Sequence, residues 1–175
     1  KETRKSVDRA WSMTTGRPEV VAAVLDSGVK WHDREAMAEL SRKFRLNPGE
    51  IPPPLGAAAW DADGNGVFNA DDYAGDPRVC DLNGNATLDP QDLIRRFSEG
   101  TDGDGNGYVD DICGWDLLED DNDPWDELDH GDGTAECAWS AGDADNGAGV
   151  PGTCPDAMLL PVRVGGSFIV DANRF

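Results

Sequence analysis

Short apolar runs stand out along an otherwise polar chain. Val20 to Leu25 reads Val-Val-Ala-Ala-Val-Leu without a polar interruption. A run of that length, closed by the turn-forming Asp26-Ser27-Gly28, predicts a fully buried strand. Met158 to Val164 predicts a second buried strand, and Ile112 to Leu118 a third. Val7, Ala10 and Trp11 recur at helical spacing and place a helix over 4–14, broken by Thr15-Gly16-Arg17-Pro18. Further helices are expected over 33–45 and from Thr134 to Ala141. Asp171 looks like an N-cap for a helix beginning at Ala172. The chain stops at Phe175, within that first turn, so we expect the encoded protein to continue or to have been cut. Strand, helix-bearing crossover and strand together predict an α/β fold built on a parallel sheet.

Between these elements the composition shifts. Pro48 to Pro54 is a Pro-rich surface loop, and from Trp60 to about Asp111 the chain turns to Asp, Asn and Gly. Residues 60–111 read as an insertion within one domain spanning 1–175, a length ordinary for a single domain. Acidic residues number 35 against 15 basic, a net charge of −20. Phosphates would be repelled, which argues against nucleic acid and against anionic membrane surfaces. No apolar run nears the roughly 20 residues of a membrane span. Disorder is the simplest outcome for so acidic a chain. However, the sequence holds 6 Trp and 5 Phe, and its acids recur at regular offsets beside Gly and Asn. That arrangement implies neutralisation by cations.

The offsets are those of a twelve-residue calcium loop. In residues 61–72, Asp61, Asp63 and Asn65 fill positions 1, 3 and 5, and Gly66 fills the sharp turn at position 6. Val67 offers its carbonyl at position 7, Asn69 stands at position 9 and Asp72 at position 12. Calcium takes six to eight oxygens, and alternate residues of a tight loop point theirs inward. Residues 81–92 repeat the pattern with Asp81, Asn83, Asn85, Thr87, Asp89 and Asp92, but Ala86 takes the place of the turn glycine, which predicts a strained or altered turn. The pair resembles dockerin-like calcium repeats. A third stretch has Asp102, Asp104, Asn106 and Tyr108 at positions 1, 3, 5 and 7, with Asp110 or Asp111 standing in for the missing position 12. The acidic run Glu119 to Asp123, with Asp126, is a fourth candidate, its alternative being a solvated loop. We expect two or more calcium ions.

Cys80, Cys113, Cys137 and Cys154 contain no Cys-x-x-Cys pair, which argues against a zinc ribbon. An even number in an acidic, calcium-patterned chain predicts two disulfides and an oxidising compartment, secreted or extracellular with the periplasm included. Sequence proximity favours Cys80–Cys113 and Cys137–Cys154 among the three pairings; four buried free thiols are the alternative.

Three segments resemble the subtilase family of serine proteases, in the family's order. Val20 to Val29 is similar to the strand ending in Asp-Ser/Thr-Gly whose aspartate is catalytic. Asn106 to Asp116, followed by Asp121-Asn-Asp-Pro124, is similar to a stretch that precedes the catalytic histidine in calcium-dependent members. Gly149 to Val164 is similar to the strand after the histidine helix. The resemblance implies endopeptidase activity on peptides or proteins and gives Asp26 the role of orienting a histidine base. It implies two registers for that histidine. Counting forward from Pro124 gives His130; counting back from Gly133-Thr134 gives Asp132, the preferred register, which implies an inactive relative. His32 follows Asp26 too closely and reads as a surface residue. No Gly-Thr-Ser nucleophile motif is present, and Ser140 and Ser167 lie in the wrong contexts. The serine would come from the remainder of the domain or from another chain.

Overall fold

The computed structural model describes residues 7–147 and 149–165. The expected helix at Asp171, Ser167 and the start of the first expected helix lie outside the described residues. Of the helix placed over 4–14, the described part is a single turn, α1 (Asp8–Trp11).

The sheet is parallel throughout. β1 (Val21–Asp26) pairs with β3 (Met158–Arg163), Val21 opposite Met158 and Asp26 opposite Arg163. β2 (Trp115–Asp116) pairs with the other side of β3, Asp116 also opposite Arg163. The order is therefore β1-β3-β2, with the three carboxyl ends side by side. Phe44 adds an isolated parallel bridge to Leu159.

The expectation that β1 is buried is corrected. It is the sheet's edge among the described residues, and its side chains alternate, leaving Val21 41% and Leu25 60% exposed. An apolar run marks a strand but not its place in the sheet. β3 is the central strand, paired along both edges, and Met158 and Leu159 are buried within it. The strand expected over Ile112 to Leu118 shrinks to two residues. Gly114 bends the chain just before it, at φ +79°, where a Cβ would fall 1.9 Å from the Pro161 carbonyl oxygen.

Helix α2 (Arg34–Leu40) is capped by Asp33, which accepts from the Glu35 and Ala36 amides. It ends well short of residue 45 because the chain must leave to pair Phe44 with β3. Two elements went unforeseen: a 3-10 turn at Ala70–Tyr73 and α3 (Pro90–Phe97). Each opens with a capping box, Asn69 with Asp72 and Asp89 with Asp92, and Pro90 adds its fixed φ to the start of α3. Helix α4 (Asp132–Ala141) begins before the expected Thr134, after Gly131 at φ +84°.

Segment 60–111 is not set apart from the rest. Phe68, Tyr73, Leu93 and Ile94 belong to one buried cluster with Trp31, Met37, Leu40 and Phe44. Trp31 meets Phe44 edge-on at 5.0 Å, and Tyr73 lies 5.8 Å from Phe97.

The cysteine pairings are also corrected: all four are free thiols. Each expected pair would join a buried cysteine, Cys113 or Cys137, to an exposed one, Cys80 or Cys154. Nearness in sequence does not bring these positions together in space.

Candidate functional site

Asp26 ends β1, at the carboxyl edge where open α/β sheets hold their ligands. Its Oδ1 accepts from the Ser27 amide at 2.7 Å. The start of α4 is seated on this turn. The Gly133 amide donates to Ser27 Oγ at 3.1 Å, and the Lys30 amide donates to Thr134 Oγ1 at 2.9 Å. Gly133 has no room for a side chain: a Cβ there would sit 2.3 Å from the Gly28 oxygen and 3.2 Å from Asp26 Cβ. Asp26 and the segment Asp132-Gly133-Thr134 are thus brought together by close backbone contact.

His130 lies outside the helix and is exposed. Its amide donates to Asp126 Oδ1 at 3.2 Å, and that of Gly131 to Asp126 Oδ2 at 2.6 Å. His32 is half exposed, as expected, with Nε2 3.3 Å from Asp129 Oδ1. Lys30 Nζ reaches the same oxygen at 2.7 Å. This hydrogen bond raises the Lys30 pKa and lowers that of Asp129. Beneath the strand ends, buried Arg163 donates to buried Asp116 across the β2–β3 pair.

The acidic loops form three separate arrangements. In 61–72, Asp61 accepts from the Gly64 and Gly66 amides at 2.8 and 2.9 Å, and Asp72 accepts from those of Ala62 and Asn69 at 2.7 and 3.0 Å. Asn65 Oδ1 accepts from the Val67 amide at 2.7 Å. Carboxylate oxygens of Asp61, Asp63 and Asp72 come within 4.8 Å of one another. Three converging carboxylates fit a hard cation.

Loop 81–92 repeats the backbone pattern. Asp81 accepts from the Gly84 and Ala86 amides, and Asp92 from those of Leu82 and Asp89. Ala86 takes φ +67°, the left-handed turn that its missing glycine foreshadowed. The side chains differ, however. Asp89 is fully buried and accepts from Asn83 Nδ2 at 3.0 Å and Asn85 Nδ2 at 2.6 Å. Burial raises its carboxyl to about 6 despite those bonds. Thr87 donates its amide to Asn85 Oδ1. Next door, burial pushes Asp123 to about 6; it accepts from Gln91 Nε2 at 2.8 Å and Trp31 Nε1 at 3.0 Å.

In the third arrangement, Asp102 accepts from the Gly105 and Gly107 amides, and Asn106 Oδ1 from that of Tyr108. Asp111 joins this loop, accepting from Asn106 at 3.1 Å and Asn47 at 2.8 Å. Asp110 turns away to the Glu99 and Gly100 amides. Glu50 was missed by sequence reasoning. It accepts from the Asp104 amide at 2.9 Å and groups with Asp102 and Asp104 within 4.8 Å. No spacing rule could link it, since it arrives from the Pro-rich loop. The fold brings the two loops into close contact: a Cβ on Gly49 would strike Asp104 Cβ at 2.5 Å. The run Glu119 to Asp126 gathers no comparable carboxylate group among the described residues.

A parallel sheet carrying Asp-Ser-Gly at one strand's carboxyl end, with a glycine-seated helix packed on that turn, is the frame of a subtilase. The profile of the subtilase peptidase family matches residues 17–171, and the chain belongs to that family. It is 35% identical over 80 residues to Subtilisin-like protease 1 of Plasmodium berghei (strain Anka). That stretch is 46% of this chain and 13% of the relative. No helix among the described residues is long and apolar enough to cross a membrane.

Proposed function

We propose that this chain is the aspartate-bearing part of a secreted, calcium-stabilised, subtilisin-like serine endopeptidase. One observation carries the reading: Asp26 stands at the carboxyl end of β1 with the first turn of α4 packed on the same Asp-Ser-Gly turn. In such an enzyme a serine hydroxyl attacks the peptide carbonyl while an imidazole takes its proton. The imidazole then gives that proton to the leaving amine, and water hydrolyses the acyl-enzyme by the same route. Asp26 would hold the imidazole and stabilise its charged form. The serine would come from the remainder of the domain or from another chain, and the substrate would be a peptide or protein.

Calcium would be held by Asp61, Asp63, Asn65, the Val67 carbonyl and Asp72, and again by Asp102, Asp104, Asn106, the Tyr108 carbonyl, Asp111 and Glu50. Bound there it neutralises carboxylates that otherwise repel one another.

A second reading is favoured by one contact. Gly133 is pressed against Gly28 and Asp26, which supports aligning Asp132-Gly133-Thr134 with the family's His-Gly-Thr. A carboxylate at Asp132 cannot shuttle protons in both directions near neutral pH as an imidazole does. The chain would then belong to an inactive, calcium-stabilised scaffold. Labelling the full encoded protein with a fluorophosphonate separates the two. A labelled serine in the wild type establishes the protease. No label in the wild type, with label gained in Asp132→His, establishes the scaffold.

A further inference from the structure

Asp126 is a fully buried carboxylate to which the reaction assigns no task. It occupies a point where three segments meet. Oδ2 accepts from the Gly131 amide at 2.6 Å and from Ser27 Oγ at 3.3 Å; Oδ1 accepts from the His130 amide at 3.2 Å. Ser27 in turn receives the Gly133 amide on its hydroxyl and gives its own amide to Asp26 Oδ1. The backbone of Asp126 is itself fixed, its amide bonded to the Val29 oxygen at 3.0 Å, while the Val29 amide bonds the Pro124 oxygen at 2.8 Å.

We propose that Asp126 is a positioning residue which, through Ser27, sets where α4 begins relative to Asp26 and so decides whether residue 130 or residue 132 opens the helix. Its two oxygens hold the amides of His130 and Gly131 outside the helix, so the first helical turn starts at Asp132. A carboxylate suits the task because every group that faces it is a donor, and charge-assisted bonds to amides are the stronger kind. An amide side chain of the same shape would turn a donor toward a donor. The functional meaning rests on the protease reading of this junction; the placement itself does not.

The test is residue-resolved amide exchange by NMR on the calcium-loaded chain, comparing wild type with Asp126→Asn, Asp126→Glu and Ser27→Ala. In Asp126→Asn, protection at His130, Gly131 and Gly133 falls by about tenfold or more. Ala22 and Leu159 in the sheet keep theirs, and the Ser27 amide resonance moves. Asp126→Glu recovers part of the loss. Ser27→Ala releases Gly133 while His130 and Gly131 stay protected, and it carries the test should Asp126→Asn fail to fold. Equal loss of protection across the sheet and the junction, with the Ser27 resonance unmoved, would reduce Asp126 to a general stabiliser and overturn the proposal, as would no loss at all. Fluorophosphonate labelling of the full wild-type protein reports separately on the protease reading, so either idea can fail alone.

Discussion

Loops 61–72 and 81–92 share one backbone and handle charge in opposite ways. In both, the first aspartate accepts from the fourth and sixth amides and the last from the second and ninth. The first loop leaves three carboxylates facing one another, from exposed Asp63 to buried Asp72. The second replaces the middle aspartate with Asn83 and turns Asn83 and Asn85 amides onto a buried Asp89. Three converging carboxylates repel one another and would be relieved by a cation, whereas two asparagine amides already converge on the single buried carboxylate of Asp89. Spacing alone cannot separate them; the exchange of Asp63 for Asn83 and of Asn69 for Asp89 marks the difference, and the fold shows the two asparagine amides meeting on Asp89.

The comparison breaks most visibly on chelation. If the first and third loops each take calcium as proposed, each site would add about 2.7 kcal/mol when free calcium is about a hundredfold above its Kd. Excess chelator should therefore lower the melting temperature by roughly 10–20 °C. An unchanged melting curve would contradict the assignment. Next in size is Asp63→Asn, which should remove about half of that chelator effect and one ion from a calorimetric calcium titration. Asn83→Ala, at the matching place in the second loop, should leave the ion count unchanged.

A pH series without calcium, read against Asp89→Asn, reports on the second loop. The folded value of Asp89 near 6 lies above its ordinary unfolded value of about 3.9. Between them the folded chain keeps a proton that the unfolded chain has lost. The resulting stabilisation is fully present below about 3.9, falls as pH rises through about 6 and is level above that. Burial shifts Asp123 the same way. Denaturant melts in chelator should show roughly 2–3 kcal/mol less stability per group at pH 7.5 than at pH 4 from these sites. Asp89→Asn should flatten the slope. The smallest effect is Ala86→Gly: relief of the left-handed φ, net of the added chain entropy, should raise the melting temperature by about 1–3 °C.

The parallel sheet and the place of Asp26 were legible because an apolar strand closed by Asp-Ser-Gly carries its own boundary. The apolar run Met158 to Val164 was legible as a strand, observed as Met158–Arg163. The exposure of β1 was not, since a run of apolar residues does not say how many neighbours a strand has. α3 was hidden by loop composition, although Asp89, Pro90 and Asp92 spelled a capped helix start. Glu50 could not be found by spacing, because its partners arrive from a distant loop. The choice between Asp110 and Asp111 needed the direction of each side chain, which only the fold supplies.

The sorting of the cysteines has a practical outcome for anyone handling the protein. Burial lifts Cys137 to about 12 and Cys113 well above the ordinary thiol range, so neither forms appreciable thiolate while the chain is folded. Cys80 and Cys154 face solvent. A maleimide dye added to intact molecules should attach twice at once and reach four only as they open. The ratio of quick to slow attachment becomes a gauge of intactness that requires no substrate.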